Sequence, residues 1–228
     1  MSRHLAIGDI HGCIDALRSL VEFVRFRSDD VIVTLGDYVD RGPDSRAVVD
    51  YMLRLGDTHR HVALRGNHEI MLLNSREQVS WLHSWVGYGG KETLRSYATS
   101  EDGIGSFEDV PDAHLDFLEN KLSAYYECDT HFFVHANADP SAALAEQSDA
   151  ALYWQKYDGP KPHCSGKIMV CGHTAQRSGL PASNGHSVCI DTWAHGGGWL
   201  SCLDVGSGIV WQANQAGECR TFALDDCN

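Results

Sequence analysis

Three short apolar runs near the amino terminus each stop at or just before a glycine, and helical spacing fills the gaps between them. Leu5-Ala6-Ile7 ends at Gly8, Val31-Ile32-Val33-Thr34-Leu35 ends at Gly36, and Val62-Ala63-Leu64 ends just before Gly66. Between the first two runs, Ile14, Leu17, Val21 and Val24 recur at intervals of three or four, the period of one helix face. Between the second and third, Pro43 is expected to open a helix whose apolar positions are Val48, Val49, Met52, Leu53 and Leu55. A β-α-β-α-β order needs crossover connections, so it implies parallel strands with helices packed outside. Ligands of such sheets sit beyond the carboxyl ends of the strands.

The remainder of the chain is less regular. From about residue 75 to 120 it reads as a polar, helical, cap-like insertion around Trp81, Trp85 and Gly89-Gly90-Lys91. Tyr125–Cys128 and Thr130–Val134 read as a hairpin, and Gln155–Ser165, with Pro160 and Pro162, as a loop. Strands are expected again at Lys167–Cys171, Ser187–Ile190, Leu200–Val205 and Gly208–Trp211, the last three forming an antiparallel second sheet. Residues 1–228 are expected to form one domain, since a chain of 228 residues can bury its own core. No apolar run approaches the roughly 18–20 residues of a membrane span. The first residues lead too quickly into Gly8-Asp9 to be a secretion signal, so a cytoplasmic location is expected. The eight cysteines include no Cys-x-x-Cys pair and read as free, buried thiols of a reducing compartment. A net charge of −13 argues against nucleic acid as a general partner.

Five segments place aspartate, histidine or asparagine beside glycine: Gly8-Asp9-Ile10-His11-Gly12, Gly36-Asp37-Tyr38-Val39-Asp40-Arg41-Gly42, Gly66-Asn67-His68-Glu69, His135-Ala136-Asn137 and Gly172-His173-Thr174. Asp9 and His11, two apart in an extended segment, would point to one side and offer one metal an oxygen and a nitrogen. Asp37 can give its two oxygens to two ions. Asn67 offers an amide oxygen, and His135 and His173 offer imidazole nitrogens. Such mixed ligation suits two divalent ions, Mn²⁺ first and Fe or Zn²⁺ next, better than Ca²⁺. A two-metal site activates water for in-line attack on a phosphate ester. His68, next to Asn67 in an extended backbone, would face the substrate instead of the metals. Asp40 can orient its ring and favour its protonated form, making it a proton donor to the leaving group. Arg41 suits bidentate contact with phosphate oxygens.

These segments resemble the phosphoprotein phosphatase family of metallophosphoesterases, especially its small bacterial and phage members. Gly8–Gly12, Gly36–Gly42 and Gly66–Glu69 match the three family signatures without gaps and in order, and the likeness runs from about Leu5 to Val210. The resemblance implies an αββα sandwich of two mixed β-sheets with a dinuclear metal centre at one edge. It implies Asp9, His11 and Asp37 on one metal, and Asp37, Asn67, His135 and His173 on the other. It implies His68 with Asp40 as the proton-donating pair and Arg41 on the phosphate. The expected function is hydrolysis of phosphoserine and phosphothreonine, with a phosphoprotein or small phosphoester as substrate and neither nucleic acid nor membrane as partner.

The chain also departs from its relatives. Ala136-Asn137 stands where many have Ala-Gly. Lys156, in Trp154-Gln155-Lys156, stands near the place of a phosphate-binding arginine and could act as a point charge without the planar fork. Trp193 replaces a common glycine after Asp191-Thr192, and His195 lies near enough to line the site. The other histidines, such as His61, His114 and His163, read as surface or satisfied core residues. Symmetric hydrolysis of diadenosine tetraphosphate is the alternative within the same chemistry, as is a small-molecule phosphatase or phosphodiesterase. The tetraphosphatases typically carry alanine in place of Asp40 and aspartate in place of Glu69, so both residues favour the phosphatase. A non-catalytic scaffold of the same fold would be expected to have lost a ligand or the His68–Asp40 pair, and none is missing.

Overall fold

The computed structural model describes residues 2–100 and 103–227, so the two ends of the expected domain and residues 101 and 102 of the expected insertion lie outside the described residues. In chain order the elements are β1 (His4–Ile7), α1 (Ile14–Val24), β2 (Val31–Thr34), α2 (Ser45–Thr58), β3 (Arg60–Ala63), α3 (Asn67–Glu77), α4 (Val79–Trp85), α5 (Lys91–Tyr97) and α6 (Asp112–Asp116). Then follow β4 (Tyr125–Glu127), β5 (His131–Val134), α7 (Asp149–Trp154), β6 (Ile168–Cys171), β7 (Ala182–Ser183), β8 (Ser187–Cys189), β9 (Leu200–Asp204), β10 (Ile209–Ala213) and β11 (Cys219–Ala223). Two mixed sheets stack face to face with helices on their outer sides, the αββα arrangement. One has the order β11-β10-β9-β1-β2-β3 and the other β4-β5-β6-β8-β7. Among the described residues no helix is long and apolar enough to cross a membrane.

Side-chain alternation along the strands builds the layers. Ala6, Val31 and Val33 of the first sheet meet Phe133, Val170 and Val188 of the second in the core between the sheets. Their neighbours point the other way. Leu5, Ile7 and Ile32 pack under Leu17 and Leu20 of α1 and Met52 of α2. Phe132, Val134, Met169 and Cys171 pack under Leu152 and Tyr153 of α7. Each such fully buried aliphatic side chain contributes about 1.5–3 kcal/mol.

Three expectations need correction. Ser187–Ile190 does not join an antiparallel meander: β8 runs parallel to β6 in the second sheet. The strands β9 and β10 return to the first sheet, where β9 lies antiparallel to β1. Short glycine-bearing turns therefore gave the wrong partner, because the chain crosses between sheets from β8 to β9. Pro43 does not open α2. Asp44 is its N-cap, with Oδ1 accepting from Ala47 N at 2.9 Å, and the helix begins at Ser45. The thiols are all free, yet Cys164 and Cys219 are exposed.

The middle segment is joined to the core. Trp85 is fully buried in the cluster under α1 and α2. After it comes a π-helical turn, Val86–Gly90, which Gly89 bends at φ 112°. Tyr97 Oη and His114 Nδ1 lie 2.9 Å apart, and His114 Nε2 lies 3.0 Å from Asp50 Oδ1, tying α5 and α6 to α2.

Candidate metal centre

Six parallel strands end at one edge of the sandwich, and each delivers a polar side chain just past its carboxyl end. In the first sheet these are Asp9 after β1, Asp37 after β2 and Asn67 after β3. In the second they are His135 after β5, His173 after β6 and Asp191 after β8. Asp191, to which the sequence assigns no role, joins them because β8 runs parallel to β6.

Asp37 lies between two donor groups. His11, Asp37 and His68 have ligand atoms within 4.8 Å of one another, and so do Asp37, His135 and His173. Its Oδ2 faces His11 Nε2 at 3.4 Å and its Oδ1 faces His135 Nε2 at 3.4 Å, one oxygen for each group. Asn67 Oδ1 lies 3.0 Å from His135 Nε2 and 2.9 Å from His173 Nδ1. Asp9 belongs to neither tight group. Both its oxygens accept from the backbone N–H of His173, at 3.1 and 3.0 Å, which joins the two sheets across the site.

The donor set fits divalent cations. His11 Nδ1 bonds the Val39 carbonyl at 2.8 Å, and His135 Nδ1 bonds the Leu35 carbonyl at 2.8 Å. Each ring thus donates from one nitrogen and turns the lone pair of the other into the site, the orientation a metal-binding histidine takes. His173 does the same with its nitrogens reversed, Nε2 lying 3.2 Å from the Trp154 carbonyl. Burial holds all three rings below the ordinary histidine range, His173 at about 4, so they are neutral and able to ligate. Burial, then Asp191 and Asp37, pushes Asp9 well up. Asp191 rises to about 6, chiefly through burial. Burial would also raise Asp37, but in the acid range, where the rings of His135, His68, His11 and His173 take up protons, their charge outweighs it and holds the carboxyl below its usual range. Crowded buried carboxylates beside neutral imidazoles call for positive charge, which divalent ions supply.

The local backbone is unusual at these residues. His11, Asp37, Asp40, Arg41 and His173 all take positive φ, from 45° to 73°. His11 is therefore in a left-handed turn, not an extended strand. Asn67 and His68 are likewise not extended but open α3, whose N-terminal end faces Asp37, with His68 N donating to Asp37 Oδ1 at 3.1 Å. Glycines make room for this crowding. A Cβ on Gly66 would strike Asp37 Oδ1, and one on Gly172 would strike Asp9 Oδ1. Glu69, fully buried, accepts from the backbone N–H groups of Asp37, Tyr38 and Gly66 at 2.9, 2.8 and 2.9 Å. Burial and Asp37 raise its carboxyl to about 7 against those donors.

His68 and Asp40 form a buried pair, Nδ1 to Oδ2 at 2.6 Å. Trp85 Nε1 donates to the same Oδ2 at 2.8 Å, and Thr93 Oγ1 donates to Oδ1 at 2.6 Å. Asp40 and Asp37 outweigh burial and raise His68 above the ordinary histidine range. His68 Nε2 faces the site, 3.9 Å from Asp37 Oδ2. Arg41 reaches the same space, its Nη1 2.8 Å from His11 Nε2. His195, which by its sequence position lies near enough to line the site, has its ring edge-on to His11 at 4.9 Å, and Trp193, two residues before it, sits in a left-handed turn at φ 65°. Burial and then Arg41 hold His195 at about 4. Lys156 is exposed, and its carbonyl accepts from Asn137 Nδ2 at 3.0 Å, so Asn137 anchors the loop that carries it.

The calcineurin-like phosphoesterase family profile matches residues 2–177, most of the chain. Serine/threonine-protein phosphatase 1 of Salmonella typhimurium is 39% identical over 210 residues, covering 87% of this chain and 90% of that protein. A symmetrical bis(5'-nucleosyl)-tetraphosphatase of Nitrosospira multiformis is 31% identical over 162 residues, covering 69% of this chain and 52% of that protein. This chain spans about half, or less, of the length of the tetraphosphatases it matches. A solved structure of a candidate diadenosine tetraphosphatase superposes with a TM-score of 0.65 at 21% identity, covering 97% of this chain and 93% of that one. The chain belongs to the calcineurin-like phosphoesterase family, whose members are phosphoric ester hydrolases built on a dinuclear metal centre.

Proposed function

We propose that the protein hydrolyses phosphoserine and phosphothreonine monoesters in proteins. The observation that carries this reading is the His68–Asp40 pair. A phosphoserine leaves as an alkoxide, which needs a proton, and His68 Nε2 is directed at the site while Asp40 holds Nδ1. The Salmonella phosphatase, aligned over nearly the full length of both chains, supports it too. His11, Asp9 and Asp37 would hold one divalent ion, and Asp37, Asn67, His135 and His173 the other, with Mn²⁺ preferred. When bound, the ions lower the pKa of water and neutralise charge on the phosphate. Arg41 would grip two phosphate oxygens through its fork, and Lys156 would add a point charge at the rim. His68 would give its proton to the leaving oxygen, contributing about 10²–10⁴-fold. Asp191 would keep the Trp193 turn in place through Trp193 N at 3.0 Å. Eight free thiols support a reducing, cytoplasmic setting.

The second reading is symmetric cleavage of diadenosine tetraphosphate, favoured by the Nitrosospira relative. The deciding experiment compares phosphate release by the Mn²⁺-loaded protein from a phosphoserine peptide and from diadenosine tetraphosphate. A coupling phosphatase converts released ADP, and Asp37→Ala is the blank. Faster turnover of the peptide supports the proposal. Faster turnover of the dinucleotide overturns it.

A further inference from the structure

We propose that His195 is a positioning residue for Arg41: its Nε2 accepts a hydrogen bond from the guanidinium and holds that group over the centre for the substrate's phosphate. The inference rests on the reading of Arg41 as the phosphate contact. Arg41 Nη1 lies 2.8 Å from His11 Nε2 and 3.5 Å from His195 Nε2, so two ring nitrogens face the same N–H donors. They are not equivalent. His11 Nδ1 is bonded to the Val39 carbonyl, so its Nε2 lone pair is the one it can offer to a metal. One lone pair serves one partner. A His11 that ligates has nothing left for Arg41, and His195 Nε2 is then the ring acceptor still within reach.

The rest of the arginine is already fixed. Its backbone is left-handed at φ 69°, and its N–H donates to the Gly89 carbonyl at 3.1 Å, so the open variable is where the guanidinium points. The turn that carries His195 is built to be rigid. Trp193 N donates to Asp191 Oδ1 at 3.0 Å, and the Trp193 carbonyl accepts from Gly196 N and Gly198 N at 3.1 and 3.0 Å. The Arg177 guanidinium stacks over the Trp193 ring at 5.2 Å. Trp193 pays for this with a left-handed backbone that a bulky side chain adopts at a cost of about 1–3 kcal/mol. Of the seven described non-glycine residues with positive φ, Trp193 is the sixth at this site; only Arg25, which caps α1, lies elsewhere. Strain is therefore concentrated on the segments that aim side chains at the centre, and the Trp193 turn is one of them.

The test is a double-mutant cycle read by phosphate affinity. The dissociation constant of inorganic phosphate is measured calorimetrically on the Mn²⁺-loaded wild type, His195→Phe, Arg41→Ala and the double variant, with His195→Gln as the conservative replacement. Mn²⁺ affinity is measured on each by chelator competition. His195→Phe is expected to weaken phosphate about five- to tenfold, the net worth of one ordinary hydrogen bond. His195→Gln, which keeps an acceptor, should recover most of that loss. In the Arg41→Ala background the same change should have no further effect, and Mn²⁺ affinity should stay within about twofold. Additive losses, or a tenfold loss of Mn²⁺ affinity in His195→Phe, would overturn the proposal while leaving Arg41 as the phosphate contact. Unchanged phosphate affinity in Arg41→Ala would overturn that underlying reading as well.

Discussion

Asp37 and His173 face the same centre from opposite sheets, and they are held very differently. Asp37 receives Glu69 on its backbone N–H, the N-terminal end of α3 on its carboxylate and two histidines on its two oxygens. Its neighbours Asp40, Arg41 and Tyr38 are fixed by Trp85, Thr93, Gly89 and Glu69. His173 is partly exposed and is fixed by its N–H on Asp9 and by ring contacts to the Trp154 carbonyl and to Asn67 Oδ1. The first sheet thus supplies its side of the site as interlocked loops, and the second as single side chains at strand ends. Loss of function and loss of stability should therefore coincide on the first side and separate on the second.

Substitutions can break or sharpen that contrast. Asp37→Ala should have the largest effect: Asp37 belongs to both donor groups, so both metals and all turnover above background should go. Metal content after gel filtration checks this, and retention of two tightly held ions would contradict it. Glu69→Ala comes next. It leaves three buried N–H groups without an acceptor, each worth about 1–3 kcal/mol, so urea unfolding should show a loss of roughly 3 kcal/mol or more. A loss under about 1 kcal/mol would mean the loops are held by something else. His173→Ala should weaken one metal by at least about tenfold while changing unfolding free energy by under about 1 kcal/mol. Equal damage to stability would erase the distinction between the sheets. Trp85→Phe should disturb the metals least: it removes one of the hydrogen bonds on Asp40 and leaves a void beside the smaller ring, so urea unfolding should show a loss of about 1–3 kcal/mol with both metals retained.

The same contrast governs what the sequence disclosed. On the first side each strand, its glycine and its polar residue are adjacent in the chain, so β1 to β3 and the gathering of Asp9, His11, Asp37, Asp40, Asn67 and His68 could be read directly. The partners that fix Asp40 could not be, because Trp85 and Thr93 lie 45 and 53 residues away and meet it only through tertiary packing. Glu69 was legible as a marker of substrate class but not as a clamp on three backbone N–H groups. On the second side the sheet assignment of β8 failed because turn chemistry tells that the chain reverses, not which sheet it enters. His195 was legible only as a neighbour of Asp191-Thr192, since a left-handed tryptophan is not something composition or spacing announces.

The central claim is that His68, oriented by Asp40, hands a proton to the leaving oxygen. It is tested most directly by measuring kcat for His68→Asn and wild type on a phosphoserine peptide and on p-nitrophenyl phosphate, whose leaving groups differ greatly in their need for that proton. The account predicts a loss of about 10²–10⁴-fold on the peptide and a much smaller one on p-nitrophenyl phosphate, with metal content unchanged. Equal losses on the two esters would contradict it.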